Sequence, residues 1–289
     1  MFVPRKILEK KLQSMLTEDI GQGDITTALI VPASSVAEAT VIAEQTGVIA
    51  GMEEAEVLLK SLDLEAEILV QDGKKIAPRS PVLKITGNTR TILSAERTLL
   101  NIISRMSGIA TTVREAIEKI QRANFKTRVA CTRKVAPGLL YFDKKAVLIG
   151  GGDTHRLHLD DMILIKDNHI LVAGGVKETL EKTKKSSFSK KTEVEVTNAE
   201  EALAAAEAGA DIVMLDNFAP KQIKKVIELL KFKGFSGKVL LEVSGGITAE
   251  NFLLYASTGV DIISLGEITD SARSLDMNLE ITKAETESI

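Results

Sequence analysis

The sequence predicts an α/β protein in which a small N-terminal α+β domain precedes a parallel sheet. The first observation behind this prediction is a regular alternation of short apolar strands and amphipathic helices from residue 128 onward. Strand–helix units of roughly 20–35 residues imply right-handed βαβ crossovers, which build parallel sheets. The second observation is that residues 1–90 lack this alternation and mix short strand-like runs with turns.

The second part of the chain is predicted to contain six strands with four helices between them. The strands are expected at 127–132, 161–167, 192–197, 211–216, 239–244 and 261–266. The helices are expected at 176–185, 199–209, 220–232 and 248–259. Six parallel strands can form a doubly wound sheet or an incomplete barrel. Because no Gly-x-Gly-x-x-Gly motif follows the first strand, we favour an incomplete α/β barrel of six or seven parallel strands.

The first part of the chain is predicted to contain short strands around one helix. In chain order we expect two strand-like runs within 36–51, a helix at 53–62, a strand–turn–strand segment at 66–76 and a strand at 82–88. Apolar residues at helical spacing then predict helix from Thr91 to about Gln121, with Gly108 separating two helices. We place the N-terminal α+β domain at 1–105, joined by the C-terminal segment 275–289, and the α/β barrel at 106–274.

Composition excludes several classes of function. The 289 residues carry a formal net charge of −3, which argues against a general nucleic-acid binder. No apolar run approaches the ~20 residues that span a bilayer, and the N-terminal residues lack the apolar core of a signal peptide. Cys131 is the only cysteine, which fits a reducing compartment, and we interpret it as a core residue. We therefore expect a cytoplasmic protein with no nucleic-acid or membrane partner.

The predicted strands all end in charged residues or glycine clusters. Function on a parallel barrel sits at the carboxyl ends of its strands. For a single strand, polar residues can simply mark the start of a loop, but six such ends favour a site. In strand order the ends are Arg133-Lys134, Lys166-Asp167-Asn168-His169, Glu193 with Glu195, Asp216-Asn217, Ser244-Gly245-Gly246 and Gly266-Glu267.

The third strand carries the sharpest local signal. In Thr-Glu-Val-Glu-Val-Thr the side chains alternate, so Glu193 and Glu195 share one face. A parallel strand normally has apolar residues on both faces, because both faces are buried. Function is favoured for Glu195, which is nearer the loop, whereas Glu193 is equally well explained by a solvent-facing edge.

A cluster of cations lies in and around the second predicted strand. Such a patch suits a small polyanion, and arginine binds carboxylate or phosphate through two parallel hydrogen bonds. A metal site on His155-x-x-His158 is the competing interpretation, but the neighbouring cations would repel a metal ion. His158 can also be structural. The cluster comprises Arg133, Lys134, His155, Arg156, His158, Lys166 and His169.

The last two predicted loops open with glycines. Ser244-Gly245-Gly246 begins one loop and Gly266 the next. Glycine lets backbone N–H groups approach a phosphate, although a tight turn also requires it. Two such loops in succession favour phosphate binding. Asp216, beside them, could hold a ribose hydroxyl, hold Mg²⁺ or stabilise a cationic transition state, or it could cap a loop.

Together these strings resemble the quinolinate phosphoribosyltransferase family. The resemblance runs in family order through nearly the whole chain, and that order makes it specific. The strings are EDIGQGDITT (18–27), AERTLLN (95–101), SGIAT (107–111), TRK (132–134) with PG (137–138), GGGDTHR (150–156), LIKDNHI (164–170), EVEV (193–196), LDNF (215–218) and SGGI (244–247). The resemblance implies a sandwich-like N-terminal α+β domain and an incomplete α/β barrel.

The resemblance also implies a reaction: quinolinate and phosphoribosyl pyrophosphate give nicotinate mononucleotide, pyrophosphate and CO₂ in NAD biosynthesis, with Mg²⁺ bound mainly through the donor. It implies that Lys134, Glu195 and Asp216 are catalytic, Lys134 on donor phosphate and the two acids on ribose hydroxyls, directly or through Mg²⁺. Quinolinate carboxylates are expected on Arg133, His155, Arg156 and Lys166, and the 5′-phosphate on Ser244, Gly245, Gly246 and Gly266. Arg97 is expected to enter the partner subunit's pocket, so the smallest unit is a homodimer.

Five places depart from the family's usual pattern without removing any of these charged residues. They are Val135 for Thr, Thr154 for Asn, Leu139-Leu140 for a segment that usually holds Arg, Lys145 for Tyr and His158 for Gly. A paralogue linked to molybdate transport is therefore a competing hypothesis, although the intact LIKDNHI segment argues against it. A sugar-phosphate isomerase or synthase is a second competing hypothesis, and a binding protein without catalysis is a third.

Overall fold

The structure is a computed structural model that describes residues 3–285. Its contacts divide the chain into two compact units. The first contains the described residues up to Arg114, Tyr141–Gly151 and the segment from Ala272, and the second contains Glu115–Leu140 and Gly152–Ser271. Compared with the expected domains, the division falls at Arg114 instead of residue 105, and residues 141–151 belong to the first unit. Residues 286–289 of the segment expected to join the first domain lie outside the described residues.

The secondary structure is mixed throughout the chain. The helices are α1 (Arg5–Ile20), α2 (Ile25–Ile30), α3 (Met52–Lys60), α4 (Thr89–Arg122), α5 (Leu140–Gly150), α6 (Asp167–Ala173), α7 (Val176–Thr183), α8 (Ala199–Ala208), α9 (Pro220–Phe232), α10 (Phe252–Ala256) and α11 (Glu267–Asp270). The strands are β1 (Val36–Ala43), β2 (Gly47–Val48), β3 (Glu65–Ile68), β4 (Lys75–Ile76), β5 (Ser80–Asn88), β6 (Arg128–Cys131), β7 (Ile163–Ile165), β8 (Thr192–Val196), β9 (Ile212–Asp216), β10 (Leu240–Ser244), β11 (Ile262–Leu265) and β12 (Met277–Glu285).

The first unit contains an antiparallel sheet in the order β12-β1-β5-β3. β12 pairs along the whole of β1, from Val36 opposite Glu285 to Ala43 opposite Met277. The strand–turn–strand segment predicted at 66–76 does form two strands, but they do not pair with each other. β3 pairs with β5, whereas β4 pairs with β2 in a separate ribbon.

Besides α2 and α5, which were not predicted, two helices of the first unit differ from the sequence-based expectation. α1 was not predicted, although Leu8, Leu12 and Leu16 recur every four residues and are all buried. α4 is one continuous helix, so the predicted break at Gly108 is wrong. A Cβ atom at Gly108 would lie 1.8 Å from the carbonyl oxygen of Arg273. The glycine therefore allows a close approach of another backbone and does not end the helix.

The second unit is built on a six-stranded parallel sheet in the order β6-β11-β10-β9-β8-β7. All six strands predicted from the sequence are present. The last strand, β11, returns to pair with the first, β6, and the order then follows the chain back to β7. This cyclic order is that of a barrel left open between β6 and β7, and not that of a doubly wound sheet.

A short segment lies along the open edge at β6. Asp153 forms an isolated parallel bridge with Ala130, and its N–H donates to the carbonyl oxygen of Val129 at 2.8 Å. Strand side chains such as Val194, Val213, Val243 and Ile263 are buried in the core of this unit. Among residues 3–285, none of the helices combines the length and apolar character needed to cross a membrane.

Candidate active site

The second unit holds a cavity of about 560 Å³ at the carboxyl ends of its strands. A cavity of this size is typical for a small-molecule site. Ten of the twelve predicted site residues line it, which brings the cationic cluster, two acids and one glycine loop together. The lining residues are Cys131, Thr132, Arg133, Lys134, His155, Arg156, Leu164, Lys166, Glu195, Met214, Asp216, Asn217, Glu242, Ser244, Gly245, Gly246 and Ser264.

Strand register places the acidic side chains at two depths. Met214 of β9 is paired in register with Glu195 of β8 on one side and with Glu242 of β10 on the other. Because side chains alternate along a strand, Glu193 shares the face of Glu195, and Ser244 shares that of Glu242. Each strand thus carries one deeper group and one group nearer the carboxyl end.

The loop after β6 carries two of the predicted cations. The Lys134 N–H donates to Thr132 Oγ1 at 3.1 Å, and the Lys134 carbonyl accepts from Thr269 Oγ1 at 2.7 Å. These bonds hold the backbone of the loop. Burial is the largest effect that lowers the pKa of Arg156, and the nearby Arg133 charge lowers it further. The two guanidinium groups therefore repel each other, which is the arrangement expected of a site built for an anion.

An ion pair crosses the site between adjacent strands. Lys166 Nζ, directly after β7, contacts Glu195 Oε1 on β8. The Lys166 side chain is 44% exposed and that of Glu195 17%, so the pair is reached from the cavity. Beside it lies a second cavity of about 320 Å³. The second cavity is lined by Lys166, Asp167, Ile170, Leu171, Glu195, Thr197, Glu201 and Asp216.

His155 stands over two buried acids at the floor of the main cavity. Its Nε2 lies 3.0 Å from Glu193 Oε2 and 3.4 Å from Glu242 Oε2. Both glutamates are fully buried, and Ser264 Oγ lies 2.6 Å from Glu242 Oε1. Burial raises the pKa of Glu193, although the contact with His155 opposes that rise. His158 lies apart from this cluster, beside the exposed Asp160 and Asp161.

The loop after β10 turns sharply through two glycines. Gly245 has φ +91° and Gly246 has φ +61°, both in the left-handed region. A Cβ atom at Gly245 would lie 2.2 Å from Asn217 Oδ1, whereas one at Gly246 would meet nothing within 4 Å. Asn217 is itself left-handed (φ 58°), and its N–H donates to the Ser244 carbonyl at 2.9 Å. The loops after β9 and β10 are therefore packed against each other beside Asp216.

Two predicted site residues are not among those lining the cavity. Gly266 is near it, because a Cβ atom there would lie 3.7 Å from the Lys134 Cδ atom. Arg97 belongs to the first unit, on α4, where its side chain is 65% exposed and its guanidinium lies 4.0 Å from Glu96.

Sequence reasoning missed several lining residues, including Glu242 and Ser264. A signal for Glu242 was present, because a glutamate in the middle of the buried strand Leu-Leu-Glu-Val-Ser breaks the apolar pattern in the same way as Glu193. Ser264 and Thr132 are small polar residues that gave no such signal. Cys131 is buried as predicted but also forms part of the cavity floor.

Two of the residues that depart from the family pattern, Thr154 and Lys145, make polar contacts with nearby groups. Thr154 Oγ1 donates to the His155 carbonyl at 2.9 Å, so this hydroxyl serves the turn itself. Lys145 lies in the first unit, where its ammonium contacts Glu53 and lies 2.6 Å from Glu54 Oε1. Neither contact removes a cation or an acid from the cavity.

The family of the chain follows from comparison with models of known protein families. The family model described as quinolinate phosphoribosyl transferase, C-terminal domain, matches residues 109–280, and the model of the N-terminal domain matches residues 24–107. The chain belongs to the quinolinate phosphoribosyl transferase family. The resemblance noted in the sequence motifs is thereby confirmed.

Individual members of the family are similar over nearly their whole length. A probable nicotinate-nucleotide pyrophosphorylase [carboxylating] of Methanothermobacter thermautotrophicus is 43% identical, covering 93% of this chain and 97% of the relative. The Rattus norvegicus nicotinate-nucleotide pyrophosphorylase [carboxylating] is 35% identical, covering 96% and 92%. The solved structure of the nicotinate-nucleotide pyrophosphorylase from Francisella tularensis has a TM-score of 0.89 at 38% identity, covering 97% and 98%.

Proposed function

We propose that the chain transfers a phosphoribosyl group from phosphoribosyl pyrophosphate to quinolinate with loss of CO₂, giving nicotinate mononucleotide and pyrophosphate. The observation that carries this proposal is that one cavity combines a cationic cluster, two accessible acids and a glycine loop. A dicarboxylate and a polyphosphate donor need such a combination. The names of the relatives describe the same reaction in the opposite direction.

The quinolinate carboxylates bind to Arg133, Arg156 and Lys166. Guanidinium groups bind carboxylates through two parallel charge-assisted hydrogen bonds, which orient the pyridine ring as well as hold it. Mutual repulsion between Arg133 and Arg156 is relieved when a dianion lies between them. Burial, and then the Arg133 charge, lower the pKa of Arg156, and a bound anion would offset both effects, which supports this assignment.

The phosphoribosyl donor binds at the loops on the other side of the cavity. The 5′-phosphate lies against Ser244, Gly245 and Gly246, where the left-handed glycines let the backbone approach the ligand. Gly266 belongs to this part of the site, where an added Cβ atom would lie 3.2 Å from Asp270 Oδ2 and 3.7 Å from the Lys134 Cδ atom. Lys134 contacts phosphate oxygens of the donor.

Catalysis rests on Glu195 and Asp216 at the adjoining ends of β8 and β9. They bind the ribose hydroxyls and stabilise the positive charge that develops at C1 as pyrophosphate leaves. Because Lys166 faces Glu195, binding of a quinolinate carboxylate to Lys166 frees Glu195 for the ribose. Once the ring nitrogen carries the ribosyl group it is cationic, so it accepts the electrons released when the adjacent carboxylate leaves as CO₂.

The acidic side of the site fits Mg²⁺. Asp216 lines both cavities, and carboxylate and hydroxyl oxygens are the donors that Mg²⁺ prefers. Asp216 would hold the ion together with oxygens of the donor. When bound, Mg²⁺ neutralises negative charge on the departing pyrophosphate.

The active enzyme is a homodimer in which Arg97 of each subunit reaches the cavity of the other. The exposed Arg97 guanidinium supports this assignment. So does the exposed apolar surface of α2 in the same unit, where Ile25, Leu29 and Ile30 are 75%, 81% and 74% exposed. A folded monomer seldom leaves such a group of side chains uncovered.

Product formation with two alternative pyridines tests the proposal. The purified chain is incubated with phosphoribosyl pyrophosphate, Mg²⁺ and either quinolinate or nicotinate, and nicotinate mononucleotide is quantified. We expect product from quinolinate only, and loss of turnover when Mg²⁺ is chelated. Turnover with nicotinate alone would contradict the proposal. It would direct attention to Val135 and Thr154, where the chain departs from the family pattern.

A further inference from the structure

The loop after β6, residues 132–139, carries the exposed Lys134 at the edge of the cavity. Two hydrogen bonds of this loop are local. The Lys134 N–H donates to Thr132 Oγ1 at 3.1 Å, and the Leu139 N–H donates to the Ala136 carbonyl at 3.0 Å. Neither bond connects the loop to another strand or helix. The position of Lys134 therefore depends on contacts from elsewhere in the second unit.

Thr269 makes a contact of this kind. It lies on α11, 135 residues further along the chain, and its Oγ1 donates to the Lys134 carbonyl at 2.7 Å. A threonine in a helix often bonds a carbonyl three or four residues earlier, and the Gly266 carbonyl lies 3.4 Å from this hydroxyl. Because a hydroxyl has one proton and the Lys134 distance is shorter, the bond to Lys134 is the stronger one. Thr269 is 0% exposed, so water does not compete for its hydroxyl.

The bond joins the chain segments that follow β6 and β11, beyond the point where the two strands are paired. The parallel pairing of these strands ends at Cys131 and Leu265. Gly266, the next residue, lies against the loop, since a Cβ atom there would be 3.7 Å from the Lys134 Cδ atom. The Thr269 hydroxyl thus fixes the backbone of Lys134 where strand pairing stops and the cavity begins.

We propose that Thr269 is a positioning residue that acts through Lys134: its hydroxyl holds the Lys134 carbonyl, and this bond directs the Lys134 side chain to the phosphate oxygens of the donor. Thr269 itself is not among the residues that line the cavity, so its effect on a substrate passes through Lys134. This inference rests on the proposed function where it names the donor. The bond between the loop and α11 is tested without any substrate.

A second buried threonine joins the same two strands at their other ends and provides a matched control. Thr127, directly before β6, is 8% exposed, and its Oγ1 donates to the Val260 carbonyl, shortly before β11, at 2.9 Å. The cavity lies at the carboxyl ends of these strands, whereas Thr127 lies at the amino ends. Thr127→Val therefore removes the same kind of bond between the same strands without loosening the loop that carries Lys134.

Limited digestion with trypsin tests the bond in the absence of substrate. Trypsin cleaves after Arg133 and Lys134, and slow cleavage of a folded chain follows the population in which the segment has opened. We expect Thr269→Val to speed cleavage at these two bonds about three- to tenfold, the factor equivalent to one hydrogen bond of about 0.7–1.4 kcal/mol. Thr269→Ser, which keeps the hydroxyl, and Thr127→Val should be cleaved at this loop at the wild-type rate. An unchanged rate for Thr269→Val would overturn the proposal.

A double-mutant cycle tests whether Thr269 acts through Lys134. The measured quantity is the dissociation constant of phosphoribosyl pyrophosphate with Mg²⁺, obtained by titration calorimetry, because Lys134→Met is expected to lose turnover. Thr269→Val should weaken donor binding about three- to tenfold in the wild-type background and less than about twofold in the Lys134→Met background. Thr269→Ser and Thr127→Val should bind the donor as the wild type does. An equal loss in both backgrounds would overturn the positioning role, because Thr269 would then support the fold of the site as a whole.

A further variant and the wild type separate the possible failures. Thr269→Ala also lacks the hydroxyl, and it replaces Thr269→Val in both experiments if circular dichroism shows that the valine variant does not fold. Failure of the wild type to bind the donor would count against the proposed function. The digestion rates would still decide whether the Thr269 hydroxyl holds the loop.

Discussion

Lys166 at the end of β7 is ion-paired with Glu195 on the neighbouring strand β8. Each of these two groups therefore neutralises the other. Under the proposed function, a substrate carboxylate that binds Lys166 takes the place of Glu195 and leaves that acid available to the ribose of the second substrate. We therefore propose that the pair couples the quinolinate part of the site to the ribose part.

Removal of the Lys166 charge should weaken binding of quinolinate more than binding of the donor. Charge-assisted hydrogen bonds contribute about 1.5–3 kcal/mol, so Lys166→Met should raise the KM for quinolinate roughly 10- to 100-fold. Initial-rate kinetics with each substrate varied in turn measure this effect. A variant whose two KM values rise together would show that Lys166 supports the fold of the site and not quinolinate itself.

Neutral replacements of the two acids should act on the rate of the chemical step. Glu195→Gln and Asp216→Asn keep the shape of the side chain but lose the charge that we propose stabilises C1 as pyrophosphate leaves. Removal of one preorganised electrostatic group typically lowers kcat by about 10²–10³. Single-turnover experiments at saturating substrates provide the measurement. A kcat within a factor of about three of the wild type would exclude the acid concerned from catalysis.

The glycine loop after β10 should not tolerate a side chain at Gly245. A Cβ atom there would lie 2.2 Å from Asn217 Oδ1, so Gly245→Ala must displace the loop after β9 as well. We expect a raised KM for phosphoribosyl pyrophosphate. Gly259→Ala is the matched control, because Gly259 has φ +92° and nothing within 4 Å of the added atom. Similar kinetics for the two variants would mean that backbone strain alone explains the effect.

The parallel sheet could be predicted from the sequence because its strands are short, apolar and regularly spaced. Each of the six strands was located to within two residues at either end. α1 could not be found in this way, because its buried face consists of only Leu8, Leu12 and Leu16 among many charged residues. The continuity of α4 through Gly108 depends on the backbone of Arg273, which is distant in the sequence. Helix propensity depends on the local sequence, so it could not predict this contact.

The charged part of the site could be predicted for a related reason. Strand ends on a parallel barrel meet at one edge, so the terminal residues of successive strands are already neighbours. The position of a residue at a strand end does not show how deeply its side chain is buried or which groups the side chain contacts. His155 and Arg156 are adjacent in the sequence, yet the ring of one faces buried acids while the guanidinium of the other lines the cavity beside Arg133. Glu242, in the middle of its strand, was not among the strand ends and was missed for the same reason.

Shared active sites predict complementation between two inactive variants. Arg97→Ala and Lys134→Ala each inactivate one component of a site that two subunits are proposed to build. Random mixing after unfolding and refolding should give heterodimers with one intact site, restoring about a quarter of the wild-type activity for a two-fold dimer. Light scattering checks that the mixture is dimeric. A mixture as inactive as its components would place Arg97 in the site of its own subunit or outside any site.

The buried cluster of Lys145, Glu54 and Tyr141 should contribute to the stability of the fold and not to substrate specificity. Lys145 lies in the first unit, with Glu54 fully buried beside it and Tyr141 donating to Glu54 at 2.7 Å. Loss of one partner of a buried ion pair costs about 3–5 kcal/mol, so Lys145→Met should be strongly destabilised. Lys145→Met combined with Glu54→Leu should recover part of that loss. Urea unfolding measures both, and unchanged KM values for the double variant are expected.

The fate of the carboxyl group that leaves tests the proposed reaction directly. Quinolinate labelled with ¹³C in the carboxyl group adjacent to the ring nitrogen is incubated with the chain, phosphoribosyl pyrophosphate and Mg²⁺. We expect equal amounts of ¹³CO₂, pyrophosphate and unlabelled nicotinate mononucleotide. Labelled mononucleotide without release of ¹³CO₂, or pyrophosphate formed without any pyridine product, would contradict it.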